Sequence, residues 1–179
     1  MTAKPRIHGL LAEFADPDDL VGAARAAHEA GYRKMDAYSP LPIDGLAEAI
    51  GFQRNGLPAL VLAGGVVGAT IAYAMMYYTA VYDYPFNIGG RPFHSAPAFV
   101  PITFELTILF ASLAAVLGML GLNGLPMPYH PVFNAPGFAM ASRSRFFLCI
   151  EAADPLFDET RTRTFLEGLG PRSVVEVEP

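Results

Sequence analysis

The hydrophobic and polar positions divide the chain into three parts. Two long apolar runs fill the middle, and sequence of ordinary mixed polarity lies on either side. The first run, Leu57 to Tyr78 (LPALVLAGGVVGATIAYAMMYY), carries no charge. The second, about Val100 to Leu122 (VPITFELTILFASLAAVLGMLGL), carries one, Glu105. A helix needs about 20 apolar residues to cross a bilayer. The pattern therefore predicts two membrane-spanning helices over 53–125, joined by a loop of about residues 83–99. A soluble core built from both runs would need more polar covering than so small a chain can supply. Pro101 is expected at the start of the second helix. Glu105 then falls about five residues inside it, roughly 7 Å below the boundary at 1.5 Å per residue.

The flanks repeat one pattern. RIHGLLAEFADPDDLVGAARAAHEAGYRKMDAYSP and RFFLCIEAADPLFDETRTRTFLEGLGPRSVVEVEP each hold a strand-like run, then Ala-Asp-Pro, a helix, a glycine and a second strand-like run. Asp16 and Asp154 are expected N-caps, because a carboxylate accepts from the free N–H groups of a first helical turn. Pro17 and Pro155 suit the first helical position. Asp18, Asp19, Asp158 and Glu159 complement the positive helix end. Gly31 and Gly168 or Gly170 suit the stops. Each flank reads as a βαβ half that cannot bury a core alone. Together they predict a split, ferredoxin-like sandwich.

The expected fold is thus an α+β membrane protein, with a two-helix hairpin inserted between the two βαβ halves of one cytoplasmic domain. Residues 1–52 supply the first half and a short connecting helix around Ile43, Leu46, Ala47 and Ile50. Residues 126–179 supply a proline-rich, aromatic segment (NGLPMPYHPVFNAPGFAMASRSR) and the second half. That segment is almost uncharged, so it is expected at the inner membrane interface or against a partner.

Composition sharpens the membrane reading. Charged residues make up 16 % of the 179-residue chain, against about 25 % in ordinary soluble domains. The deficit is local: between Arg54 and Arg143 the charged residues are Asp83, Arg91 and Glu105. Arg33, Lys34 and Arg54 precede the first run, and Arg143 and Arg145 follow the second. The positive-inside rule places both termini in the cytoplasm and the loop in the periplasm. Tyr77, Tyr78, Tyr82, Tyr84, Phe86, Phe93 and Phe99 gather around that loop as an interfacial aromatic belt. The N-terminus has no apolar core of secretory type. No basic stripe points to nucleic acid.

Gly64, Gly68 and Ala72 recur every four residues on the first run, and Ala111, Ala115 and Gly118 offer a small face on the second. Small faces let helix backbones approach closely in lipid. They serve either the hairpin itself or docking onto helices of a larger subunit.

Chemistry is sparse. No phosphate-binding glycine loop or nucleophile–base pair is evident. His8, His28, His94 and His130 are scattered, and none lies in a span. Cys149, the single cysteine, excludes a disulfide or a Cys-x-x-Cys site in the chain and reads as a core residue. Metal, cofactor and catalytic residues are all expected to be absent. Glu105 remains. It is either a carboxylate near a positive helix end or a polar-contact or proton-handling group. Tyr77 and Thr79 on the first span, and Thr103 and Thr107 beside it, are the expected hydrogen-bond partners.

The stretch YPFNIGGRPFHSAPAFVPITFELTILFASLAAVLGML, with GLLAEFADPDDLVGAARAAHEAGYRKMDAYSPLPIDGLAEAIG, resembles the small hairpin (D-type, ActD) subunit of alternative complex III. The resemblance covers most of residues 8–125 and is most specific in the loop and the FELT segment. The C-terminal third matches by pattern. The resemblance implies a non-catalytic membrane subunit of a quinol-oxidising respiratory complex, anchoring and stabilising the large membrane subunits, with an auxiliary part in proton movement. Quinol would bind a multi-span partner. Iron–sulfur clusters and haem c would sit in other partner subunits, and this chain would hold no cofactor. The competing reading is a stand-alone membrane protein whose split βαβ domain binds a small ligand or acts as a sensor.

Overall fold

A computed structural model describes residues 7–52 and 55–179. Its elements are β1 (Gly9–Phe14), α1 (Pro17–Glu29), β2 (Met35–Tyr38), α2 (Leu46–Ala49), α3 (Leu57–Tyr78), α4 (Ala96–Leu122), β3 (Phe146–Glu151), α5 (Glu159–Glu167) and β4 (Ser173–Val177). They divide into two compact units. Met1–Arg54 and Pro128–Pro179 form a sheet domain, and Asn55–Met127 form a hairpin.

In the sheet domain the strands run in the order β2-β3-β1-β4, every neighbouring pair antiparallel. The mixed α/β character expected from the flanks is present. β1 (GLLAEF) and β3 (FFLCIE) are apolar at nearly every position, the pattern of strands covered on both faces. Successive side chains alternate between the faces. Leu10, Ala12, Phe14, Phe146, Leu148 and Ile150 pack with Leu20, Ala24 and Ala27 of α1 and Leu166 of α5. Leu11, Phe147, Cys149 and Val177 point the other way, onto Val132, Ala135, Phe138 and Ala141. These last four belong to the proline-rich segment expected at the membrane interface or against a partner. Over Pro131–Asn134 and Phe138–Ser142 it forms two 3₁₀ turns. Apolar residues three apart lie on one side of such turns, and here that side covers the sheet.

α1 forms as expected. The Asp16 carboxylate accepts from the Asp18 N–H at 3.0 Å, and Pro17 opens the helix. Leu20, Ala23, Ala24 and Ala27 make one buried stripe. At the far end Gly31 adopts φ +102°. Its N–H donates to the His28 carbonyl and the Tyr32 N–H to that of Ala27, a Schellman stop that needs a left-handed residue.

The second repeat departs from the first. Asp154 does not cap α5, and Pro155 does not begin it. The helix starts at Glu159, and the carboxylate of Asp158 accepts from the Arg161 N–H at 2.9 Å. Asp154 instead binds the first repeat. Its carboxylate accepts from the N–H groups of Arg33 at 2.7 Å and Lys34 at 2.8 Å, and from its own loop's Leu156 at 2.8 Å. The Tyr32 hydroxyl and the buried Thr162 hydroxyl, 3.1 Å apart, make a second bridge between the halves.

In the hairpin, α3 has the expected limits and runs through a π-helical turn to Asp83. α4 begins at Ala96, a turn earlier than expected, with Pro97 in its first turn. Pro101, expected at the helix entrance, lies inside the helix. It has no N–H to offer the Pro97 carbonyl, a tolerable loss so near the end. The small faces serve the hairpin itself. A methyl group placed on Gly68 would come within 2.5 Å of the Leu106 carbonyl oxygen, and one on Gly64 within 2.6 Å of the Ala114 Cβ. Ala72 is fully buried, and Leu60 fills the space over Gly118. Ala111 faces Gly65. Ala114, rather than Ala115, takes the position opposite Gly64.

Both helices are long and apolar enough to cross a membrane. A core helix of a soluble protein passes the same test but is mostly buried. Here 17 % and 0 % of the two most apolar windows are buried within the chain. Uncovered apolar surface on this scale requires lipid or protein against it.

Candidate functional site at the loop end of the hairpin

Tyr73 and Tyr77 stand one turn apart on α3, so both face the same side. The chain after the loop folds His94 back between them. The His94 Nε2 and the Tyr73 hydroxyl are 2.7 Å apart. The Tyr77 ring meets the imidazole edge to face at 5.1 Å, and Phe99 closes on it at 6.0 Å. Ala69, Thr70, Tyr73, Ala74, Tyr77, His94 and Thr103 line a groove of about 600 Å³. A phenol hydrogen-bonded to an imidazole can hold or exchange a proton. The aromatic walls suit a flat or chain-like apolar group.

His94 was one of four scattered histidines in the sequence. Its position depends on how the loop returns, which no local pattern encodes. The two tyrosines at helical spacing were the legible half of the cluster. A second histidine contact lies in the sheet domain, where the rings of His8 and His130 meet edge to face at 5.3 Å. Among the described residues no group of three or more His, Cys, Asp or Glu side chains could hold a metal ion.

The residues grouped around Glu105 in the sequence lie apart. Gly68 packs on Leu106 and Phe110, and Tyr73 shares a groove with Val100, Thr103 and Phe104. This pairing sets Glu105 level with the stretch between Gly68 and Tyr73. Tyr77 and Thr79 lie nearer the loop. Thr79 donates to the carbonyls of Met75 and Met76 on its own helix. Thr103 faces α3, and its Oγ1 is buried with no hydrogen-bond partner among the described residues. Thr107 donates to the Thr103 carbonyl at 2.6 Å. Glu105 is on the exposed side of α4. The ion pairs among the described residues, Arg145–Glu13 and Arg163–Glu176, both belong to the sheet domain.

Cys149 and Asp154 in the sheet domain have perturbed acidities that follow from their surroundings. Burial pushes the Cys149 thiol up to about 12, helped by the nearby carboxylates of Asp36 and Glu151. The thiol is therefore protonated and inert. Burial alone would raise Asp154. The N–H groups of Lys34, Arg33 and Leu156 and the Arg33 charge outweigh it and hold the carboxyl below its ordinary range.

A family model described as the ActD subunit of alternative complex III matches residues 8–176. No curated protein matches. The match reaches beyond the 8–125 stretch that carries the resemblance, through β3 and α5 and into β4. With nearly the whole length matched, the chain belongs to the ActD family, subunits of alternative complex III, a bacterial membrane complex of the respiratory chain.

Proposed function

We propose that this chain is a non-catalytic accessory subunit that anchors and stabilises the large membrane subunits of its complex. The observation that carries the reading is the hairpin. Its two helices bury small faces against each other and leave their remaining apolar surface uncovered. A pair of helices so arranged is suited to lying in lipid beside other subunits. The sheet domain is read as a ferredoxin-like sandwich. Support comes from the strand order β2-β3-β1-β4 with α1 and α5 joining strands that are not neighbours. The hairpin then occupies the connection between β2 and β3. Both termini face the cytoplasm in this reading, supported by Arg33, Lys34, Arg143 and Arg145 outside the apolar runs. Quinol, iron–sulfur clusters and haem c belong to partner subunits.

The test is depletion of the chain from cells that make the complex. The expected result is a lower yield of the assembled large membrane subunits, with quinol oxidation per haem unchanged in whatever assembles. Full assembly without the chain contradicts the anchoring role. Reduced turnover per haem at full assembly contradicts the non-catalytic one.

An auxiliary part in proton movement is supported by the placement of Glu105 in a span and of the Tyr73–His94 pair at the loop end. Glu105→Gln in the assembled complex decides it. Proton release per quinol falls if Glu105 takes part, and unchanged release removes that role.

A further inference from the structure

We infer that the face of α4 bearing Glu105 and Ser112 is covered by a membrane-spanning helix of another subunit, which presents a hydroxyl or basic hydrogen-bond donor at the depth of Glu105. The inference rests on the accessory-subunit reading and names the surface that reading uses. Glu105 lies nine residues after Ala96 in a helix of 27 residues. At 1.5 Å per residue the helix is about 40 Å long and Glu105 is about 13 Å from its start. A hydrocarbon layer about 30 Å thick, centred on the helix, would place the residue about 8 Å inside it.

Nothing in the hairpin relieves the carboxylate. It is exposed, and among the described residues it has no hydrogen-bond or ion-pair partner. The one Lys or Arg between residues 55 and 127 is Arg91, which lies in the loop. Protonation removes the charge but leaves a donor and an acceptor that acyl chains cannot satisfy. Intramembrane carboxylates face a protein partner or water for this reason. The rest of the face is continuous. Pro101, Ile108, Ser112 and Val116 lie four residues before Glu105 and three, seven and eleven after it, and all are exposed. Ser112 adds a second polar group two turns along. The small-residue faces cannot serve instead, because Gly64, Gly68 and Gly118 are filled within the hairpin. The charge argues against a second copy of the same face, which would bring two carboxylates together.

The test uses the full chain in its complex, with a photo-cross-linking residue at position 112 and, as a comparison, at Val67 on α3. The expected adduct at position 112 is with a membrane helix of a different subunit. Glu105→Leu should lower recovery of the complex with the tagged chain by about tenfold, while Ile108→Leu on the same face leaves it unchanged. Adducts of position 112 with lipid alone, or with a second copy, overturn the inference while the complex still co-purifies. A subunit adduct with undiminished recovery of the Glu105→Leu complex overturns the polar contact. If the unsubstituted chain brings down no other subunit, the accessory reading itself fails and the inference falls with it.

Discussion

Asp154→Ala should loosen the sheet domain by a measurable amount, and the chain carries its own reporter. Asp154 is 5 % exposed, and its carboxylate accepts three backbone N–H groups, two from the other repeat. A hydrogen bond to a charged group is worth about 1.5–3 kcal/mol net. Three bonds sharing one ion do not add fully, and the freed amides on exposed Arg33 and Lys34 recover water. The expected loss is about 2–3 kcal/mol. Cys149, the chain's single cysteine, is 1 % exposed at the centre of the sheet. It reacts with a maleimide only when the domain opens. If reclosing outpaces labelling, the rate follows the opening equilibrium. Labelling of the full chain in detergent at pH 7.5 should then accelerate about 30- to 150-fold. Asp154→Asn keeps one acceptor arm and should fall between. Labelling of Asp154→Ala within about twofold of the unsubstituted rate would refute the idea that this carboxylate joins the repeats.

Four further outcomes follow from the same contacts. The folded Asp154 carboxyl titrates below its ordinary 3.8. Its contribution is therefore complete above about pH 3.8 and is lost as pH falls through the lowered value. Thermal unfolding followed by circular dichroism should show the advantage over Asp154→Asn shrinking in that acid range and nowhere above it. Phe138→Ala removes a ring packed on Tyr38 and Phe147, should cost about 3 kcal/mol, and should also speed Cys149 labelling. Gly31→Ala must adopt φ +102° with its Cβ 2.9 Å from a Leu156 methyl, and should lower the melting temperature through a loss of about 1–2 kcal/mol. Gly68→Leu drives a side chain into the Leu106 carbonyl and should push α3 and α4 apart. Cysteines at Gly65 and Ala111, in a Cys149→Ser background, should then lose the disulfide they form in the parent hairpin.

The two long apolar helices were the most legible part of the chain, because an unbroken apolar run of that length admits few readings. The limits of α3 followed directly. The start of α4 did not, since two prolines compete for it. Pro101 precedes the obvious apolar run, but Pro97 holds the first-turn position, and Ala96, Ala98 and Phe99 suit either a loop or a helix. The second repeat misled through its likeness to the first. ADPLFDET offers two capping aspartates, and the tertiary need of the Arg33–Lys34 amides claims the earlier one. The Pro131–Ser142 segment was legible as unfit for a solvated linker. What it covers was not, because the open face of a sheet is a property of strand order. Glu105 was found by its charge alone. That it has no partner among the described residues depends on the register of α3 on α4, and the place of His94 depends on the path of the loop.

Membership of the ActD family implies that the chain is built into a multi-subunit membrane complex of the respiratory chain. Affinity purification of the tagged full chain from native membranes in mild detergent tests it most directly. The expected fraction shows c-type haem absorbance and iron–sulfur signals in fixed ratio to this chain, with the large membrane subunits present. A chain that emerges alone, with no haem absorbance in its fraction, would contradict that assembly.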